Sequence, residues 1–261
     1  RVRIEHPIAE CLELERALKS RFGLTSAWVS PGLGAGGDPL QGLAPFVAPV
    51  LERLFASEEP KVFALGTGRT LKTVVEQLRA VDGSHHKLVS LIGNVAPDSS
   101  ASFYEVIMRF AEKIRARHYP MSVPVAARDE VELTLYRSLP HVMASRELAK
   151  SADLAIVGIG QMSDDAPLYV DGFLSAEELT AVRASGGVGE ICGHIFDADG
   201  RYLDHPVNDR MVGVRVPEAD MPVYCIGAGA SKLAALDAAL RGGLIDGLFT
   251  DEWTAKSLIS Q

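Results

Sequence analysis

The sequence has few cysteines and no long apolar run. Its three cysteines, Cys11, Cys192 and Cys225, lie far apart without the spacing of a metal site or a disulfide framework. We therefore expect buried, reduced thiols in a cytoplasmic protein. No eighteen consecutive apolar residues occur, which argues against a transmembrane helix, and no leader points to export. The seven histidines lack metal-ligand spacing, so we expect no metal and no cofactor.

Positive charge is also scarce, with 26 lysines and arginines against 34 aspartates and glutamates and a net charge of −8. Affinity for nucleic acid comes largely from clustered basic residues that release counterions from the phosphate backbone. Here the basic residues are scattered, so we expect this chain to bind neither DNA nor a membrane by itself. The chain begins with Arg1, and we expect a further segment upstream.

The sequence does contain a regular alternation of strand and helix signals. This alternation predicts one α/β domain over residues 1–261, a Rossmann-like and mostly parallel sheet with helices on both faces. In the segment Gly189–Val216, Asp199–Gly200 separates two extended stretches and predicts an inserted β-hairpin. The predicted strands of the parallel sheet are Thr25–Ser30, Lys61–Leu65, Lys87–Ile92, Tyr119–Val123, Leu154–Ile159, Val223–Ile226 and Leu248–Thr250.

A phosphate-binding loop is predicted at Gly66, Thr67, Gly68, Arg69 and Thr70, directly between a predicted strand and a predicted helix. Glycines let the backbone approach an anion, and the free amides of a helix start point toward it. The threonine hydroxyls can donate hydrogen bonds, and the guanidinium can pair with two oxygens. The alternative is a tight turn that needs glycine for its geometry alone.

Three other strand ends carry further candidates. Gly160 follows the central strand, although close packing would also require glycine there. Gly227 and Gly229 precede Lys232, whose ammonium could reach back to an anion or simply be solvated. Asn94 could bond to a sugar hydroxyl or cap its own turn.

The inserted region supplies two charged candidates for the rim of the same pocket. Glu190 could accept hydrogen bonds from sugar hydroxyls, and Arg210 could bind a second anionic group. Each could equally be a solvated loop residue. The glycines of Gly32–Gly37 resemble a dinucleotide fingerprint, but no acidic residue follows at the required strand end, so we interpret them as a surface loop.

Together these motifs resemble the effector-binding domain of the SorC-type (DeoR-like) sugar-binding transcriptional regulators. The resemblance runs from about Gly23 to the end of the chain. The motifs that carry it, in order, are Gly66–Leu71, Leu91–Asn94, Ala155–Gly160, Gly187–Gly193, Asn208–Arg210, Gly227–Lys232, Ala239–Gly243 and Thr250–Glu252.

The resemblance implies a fold like that of the ribose-phosphate isomerase, glucosamine-phosphate deaminase and CoA-transferase group. It also implies a phosphorylated sugar effector, a homo-oligomer (dimer or tetramer) and operator DNA bound only through an upstream helix-turn-helix domain. By position, Gly66–Thr70 would hold the phosphate, and Glu190 and Lys232 would contact the sugar or its phosphate. Asn94, Gly160 and Arg210 are further candidates. Thr67 stands where the family usually has a bulkier residue, often Trp.

Two enzymatic alternatives remain open on the sequence. A sugar-phosphate isomerase or deaminase would need a base such as Glu190, Asp204 or Asp251, but no paired carboxylates end a predicted strand. A CoA transferase would need a nucleophilic glutamate, for which Glu190 is the candidate. The sequence favours a ligand-sensing domain, and we assign no catalytic residue.

Overall fold

The computed structural model describes residues 7–32, 37–96, 99, 106–217 and 220–260. Most of the Gly32–Gly37 loop lies outside this part of the chain, as does Phe103, whose apolar spacing with Val106 and Phe110 predicts a helix. The described strands are β1 (Ser26–Ser30), β2 (Val62–Leu65), β3 (Lys87–Val95), β4 (Arg117–Pro124), β5 (Leu154–Gly158), β6 (Gly160–Gln161), β7 (Gly187–Ile191), β8 (His194–Asp197), β9 (Val223–Ile226) and β10 (Gly247–Asp251).

A one-turn 3-10 helix at Ala230–Lys232 directly precedes the tenth α-helix. The second helix continues through Pro45 and Pro49, and Pro140 starts a new helix. The described helices are α1 (Pro7–Phe22), α2 (Pro39–Phe55), α3 (Arg69–Gln77), α4 (Val106–Ile114), α5 (Glu130–Ser138), α6 (Pro140–Lys150), α7 (Pro167–Val170), α8 (Ala176–Ala184), α9 (Pro206–Asp209), α10 (Leu233–Arg241) and α11 (Glu252–Ser260).

Seven strands form one sheet in the order β1-β10-β9-β5-β2-β3-β4, and every neighbouring pair is parallel. This confirms the predicted parallel sheet. Strand β5 lies at its centre, between β9 and β2. The carboxyl ends of these three strands therefore meet at one edge, which is where ligands bind in open α/β sheets.

Side chains alternate between the two faces of the central strands and build a separate apolar core on each. Phe63 and Leu65 enter the core beneath α2, α3 and α4, whereas Ala64 enters the core beneath α1, α6, α10 and α11. Strand β5 alternates in the same way, with Ile156 on the first side and Val157 on the second. Burial on both faces explains why these strands read as continuous apolar runs.

The inserted region forms a small antiparallel sheet in the order β6-β7-β8, which confirms an insertion but corrects its turn. The β7–β8 hairpin turns at Cys192–Gly193, where both residues have positive φ, 51° and 83°. Asp199–Gly200 also forms a turn, but a single described bridge, Phe196 to Tyr202, joins the chain on its two sides. Type I′ hairpin turns need two such residues, and a cysteine there gives no recognisable signal.

Candidate functional site

A cavity of about 320 Å³ lies at the carboxyl ends of the central strands. Its base is formed by the loops that follow β2 and β5, and the β7–β8 hairpin closes one side. Residues between Gln161 and Phe173 cover it, and apolar side chains such as Ile92 and Val125 form a further wall. Four of the predicted loops thus converge near this edge of the sheet, although they do not contribute equally to the cavity.

The loop after β2 opens α3 toward the cavity. Gly68 is the N-cap of α3, with φ 113° and ψ 174°, and no side chain caps the helix. The first turn of a helix has N–H groups without intrahelical acceptors, and Thr67, Gly68, Arg69 and Thr70 all line the cavity. The geometry therefore presents backbone and hydroxyl donors to a bound group.

Gly66, the first residue of this loop, has a structural role that differs from the phosphate contact we predicted. Its N–H donates to the Ile156 carbonyl at 2.9 Å, within the extended sheet, so it is not available to a ligand. A Cβ at Gly66 would lie 3.3 Å from Cys192 Sγ and 3.4 Å from Val157 Cα. The glycine allows the β7–β8 turn to pack closely against the sheet.

Arg69 reaches across the cavity mouth toward the segment that covers it. One guanidinium nitrogen lies 3.8 Å from a carboxylate oxygen of Asp171, just after α7. The Arg69 side chain is largely exposed, whereas that of Asp171 is mostly buried. The exposed guanidinium and the 3.8 Å separation make this a weak ion pair.

Glu190 lies on β7 and turns its carboxylate into the cavity beside Gly160. A Cβ at Gly160 would lie 2.8 Å from both Cγ and Cδ of Glu190 and closer still to Oε1, so only glycine leaves room for this position. The Gly193 N–H donates to Glu190 Oε2 at 2.8 Å. Burial raises the pKa of Glu190, and the hydrogen bond from Gly193 and the nearby Lys232 oppose that rise.

Lys232 also enters the cavity, at the start of α10. Its ammonium donates to Gln161 Oε1, while Gln161 Nε2 donates to Asp165 Oδ1 at 3.4 Å. Burial lowers the pKa of Lys232, and the carboxylate of Glu190 counteracts this effect. The cavity thus combines cations and helix-end donors with carboxylates, which suits a ligand bearing both an anion and hydroxyl groups.

Six predicted residues lie outside the cavity lining: Gly66 and Gly160, described above, and the four that follow. Asn94 lies on β3, with its Oδ1 buried and unpartnered among the described residues. Arg210 pairs with Glu178 in the first turn of α8, so its guanidinium already has a partner. Gly227 packs against Ile159, and Gly229 donates its N–H to Thr254 Oγ1 at 2.8 Å. These two glycines shape the loop that presents Lys232.

Gln161, Asp165 and Asp171 line the cavity and were missed in the sequence analysis. All three belong to the segment after β5. The sequence analysis identified a glycine in this segment but none of the polar residues that come after it. Cys192, interpreted only as a buried thiol, also lines the cavity, and burial strongly raises its pKa. Among the described residues, no three histidine, cysteine or acidic side chains are placed to hold a metal ion.

Residues 6–260 match the model of the family described as "Putative sugar-binding domain". The chain belongs to this family. It is 34% identical over its whole length to the erythritol catabolism regulatory protein EryD of Brucella abortus (strain 2308), of which it covers 83%. It is 29% identical over its whole length to the transcriptional regulator LsrR of Klebsiella pneumoniae (strain ATCC 700721 / MGH 78578), of which it covers 79%.

Solved structures agree with this assignment at the level of fold. A DeoR family transcriptional regulator from Listeria monocytogenes superposes with a TM-score of 0.87 at 23% identity, covering 95% of this chain and 99% of that chain. The full-length sorbitol operon regulator SorC from Klebsiella pneumoniae gives 0.86 at 22% identity, covering 99% and 83% respectively.

The sugar-binding domain described here is therefore a ligand-sensing domain of the SorC and DeoR type of transcriptional regulator. Its relatives are regulators rather than enzymes, which overturns the isomerase, deaminase and CoA-transferase alternatives. In the part of the chain that is described, no helix has the length and apolar character needed to cross a membrane.

Proposed function

We propose that this domain binds a phosphorylated sugar or polyol and thereby changes the DNA affinity of a helix-turn-helix domain joined to it. The observation that carries the proposal is the uncapped N-terminus of α3, whose residues Thr67, Gly68, Arg69 and Thr70 line the cavity. A helix start with free amides and an adjacent guanidinium suits a phosphate group. Gly66 acts there through packing.

In the proposed complex, the other half of the cavity holds the hydroxyl groups. Glu190 accepts from them, Lys232 bridges the phosphate and the sugar, and Asp165 and Asp171 extend the polar surface. The ligand shifts the regulator between two arrangements because it binds one of them more tightly. The assembly is a homo-oligomer, a dimer or a tetramer, that acts on operator DNA in the cytoplasm.

The proposal predicts that phosphorylated compounds stabilise the domain far more than their unphosphorylated counterparts. We would measure melting temperatures with a panel of three- to six-carbon sugar and polyol phosphates. Four-carbon polyol phosphates are included because one relative is named for erythritol catabolism. A ligand at a hundred times its Kd stabilises by about 2.7 kcal/mol, a shift of roughly 5 °C for a domain of this size.

Replacing Arg69 with Ala tests where the phosphate binds. Loss of one charge-assisted hydrogen bond should weaken affinity about 10- to 100-fold in isothermal titration calorimetry. Arg117→Ala is the matched control, because Arg117 is an exposed arginine at the start of β4, at the opposite edge of the sheet. Equal affinity of Arg69→Ala and the wild type would refute the phosphate role of this loop. A panel that does no better than inorganic phosphate would refute the function.

A further inference from the structure

Gln161 is a polar residue at a nearly buried position in the cavity, and neither strand pairing nor packing calls for a polar side chain there. It lies on the two-residue strand β6, paired with Gly189 of β7, and only 8% of the residue is exposed. Its side chain nevertheless lines the cavity. A buried amide must find partners for both of its ends, and here each end has one.

The two contacts fix the orientation of the Gln161 amide. The Lys232 ammonium can only donate, so the amide oxygen must face it. The ionised Asp165 carboxylate can only accept, so the amide nitrogen faces that side, 3.4 Å from Oδ1. An amide satisfies both neighbours at once, whereas a carboxylate would satisfy the lysine and repel the aspartate.

The charges around Lys232 explain why a neutral acceptor matters. The ammonium is faced by Glu190 from β7, Asp165 from the covering segment, Arg69 from α3 and the Cys225 thiol from β9. Among its described lining residues the cavity holds three carboxylates (Asp165, Asp171 and Glu190) and two cations (Arg69 and Lys232). One more carboxylate beside Lys232 would neutralise the cation that an anionic ligand needs.

We propose that Gln161 is a specificity-determining residue: it positions the Lys232 ammonium with an uncharged oxygen and so keeps that charge available to an anionic sugar. This inference rests on the proposed function, since it concerns how the same cavity distinguishes a sugar phosphate from a neutral sugar. Gln161 acts through Lys232: its neutral side chain helps to position the ammonium, and the ammonium supplies the charge that attracts the anion.

Gln161→Glu tests the proposal because it changes the charge and almost nothing else. We would measure affinities by calorimetry at pH 7.5, using the best-binding phosphate ester of the panel and its unphosphorylated counterpart. The variant should lose about tenfold or more in affinity for the ester, and much less for the neutral sugar.

Gln77→Glu is the matched control. Gln77 is exposed at the far end of α3, about 12 Å along the helix from Arg69, so it adds the same charge away from the cavity. Melting curves of both variants check that each is folded. Equal losses for the ester and the neutral sugar, or no loss at all, would overturn the proposal.

A second measurement needs no ligand. The pKa of Lys232, followed by NMR of ¹³C-labelled lysine and assigned with Lys232→Met, should rise in Gln161→Glu and fall in Gln161→Ala. An unchanged pKa in both variants would overturn the positioning role. If the pKa moves but the wild type binds no sugar phosphate, then the proposed function fails and the selective role with it, while the contact between Gln161 and Lys232 stands.

Discussion

At the scale of single residues, the pairing of Gly160 with Glu190 links packing to the site. Gly160→Ala would place a methyl group 2.8 Å from Cγ and Cδ of Glu190 and would push the carboxylate out of its position. Overpacking of this kind costs about 1–3 kcal/mol. We expect Gly160→Ala to lower the free energy of unfolding by that amount, measured in urea, and to weaken binding of the phosphate ester.

The double variant Gly160→Ala/Glu190→Ala separates this clash from any other effect of the methyl group. Without the Glu190 side chain the new methyl group meets no carboxylate. Gly160→Ala should therefore cost well under 1 kcal/mol of unfolding free energy in the Glu190→Ala background. A Gly160→Ala penalty of the same size in both backgrounds would mean that the strand itself, and not Glu190, requires the glycine.

At the scale of elements, the β7–β8 hairpin buries a histidine as well as the site glutamate. His194 begins β8, is 3% exposed, and its Nδ1 has no hydrogen-bond partner among the described residues. Burial, assisted by Arg215, Arg137 and Arg146, lowers the pKa of His194 to about 4. The folded protein thus holds a neutral imidazole that the unfolded chain would protonate below its ordinary pKa.

Because the folded-state pKa is depressed, the unfolded chain binds more protons below pH 6.5 and stability falls as the pH falls. Between pH 6.5 and 5, His194 should cost about 2 kcal/mol of unfolding free energy. His86, buried with its pKa also lowered, acts in the same direction. Urea titrations should show a smaller slope with pH in His194→Gln. An unchanged slope would mean that His194 titrates normally when folded.

The elements also show what the sequence could predict and why the remainder was missed. Strands such as β5 were predictable because burial on both faces leaves an unbroken apolar run. The start of α8 is marked by Ser175 and Glu178, which form a capping box. Strand β6 and helix α7 are too short to show any period. The hairpin turn was misplaced because Asp199–Gly200 is the stronger sequence signal, whereas Cys192 adopts its positive φ within tertiary packing.

The residues of the site also fall into those that the sequence could predict and those that it could not. Thr67–Thr70, Glu190 and Lys232 were recognisable from glycine motifs, which reflect a local backbone requirement. Gln161, Asp165 and Asp171 belong to no such motif and reach the cavity only because the segment after β5 folds back across it. The ion pair of Arg210 could not be predicted for the converse reason: its partner, Glu178, lies 32 residues away in the sequence and becomes its neighbour only in the fold.

At the scale of the whole molecule, the distribution of charge separates sensing from DNA binding. The chain carries a net charge of −8, and its two cavity cations lie among three carboxylates. Counterion release requires several clustered basic residues on an accessible surface. The same cations that suit a small phosphate ester are thus too few and too enclosed to hold a nucleic-acid backbone.

The isolated domain should therefore show no binding to a mixed-sequence 30-base-pair duplex in fluorescence anisotropy, even at low salt. Proteins that bind DNA nonspecifically do so with a Kd of roughly 1–100 μM, so about 100 μM domain at 50 mM salt is a demanding test. An appended ten-lysine tail supplies the missing clustered charge and serves as the positive control. Salt-sensitive binding by the untailed domain would place part of the DNA contact within this chain and would contradict the proposed division between sensing and DNA recognition.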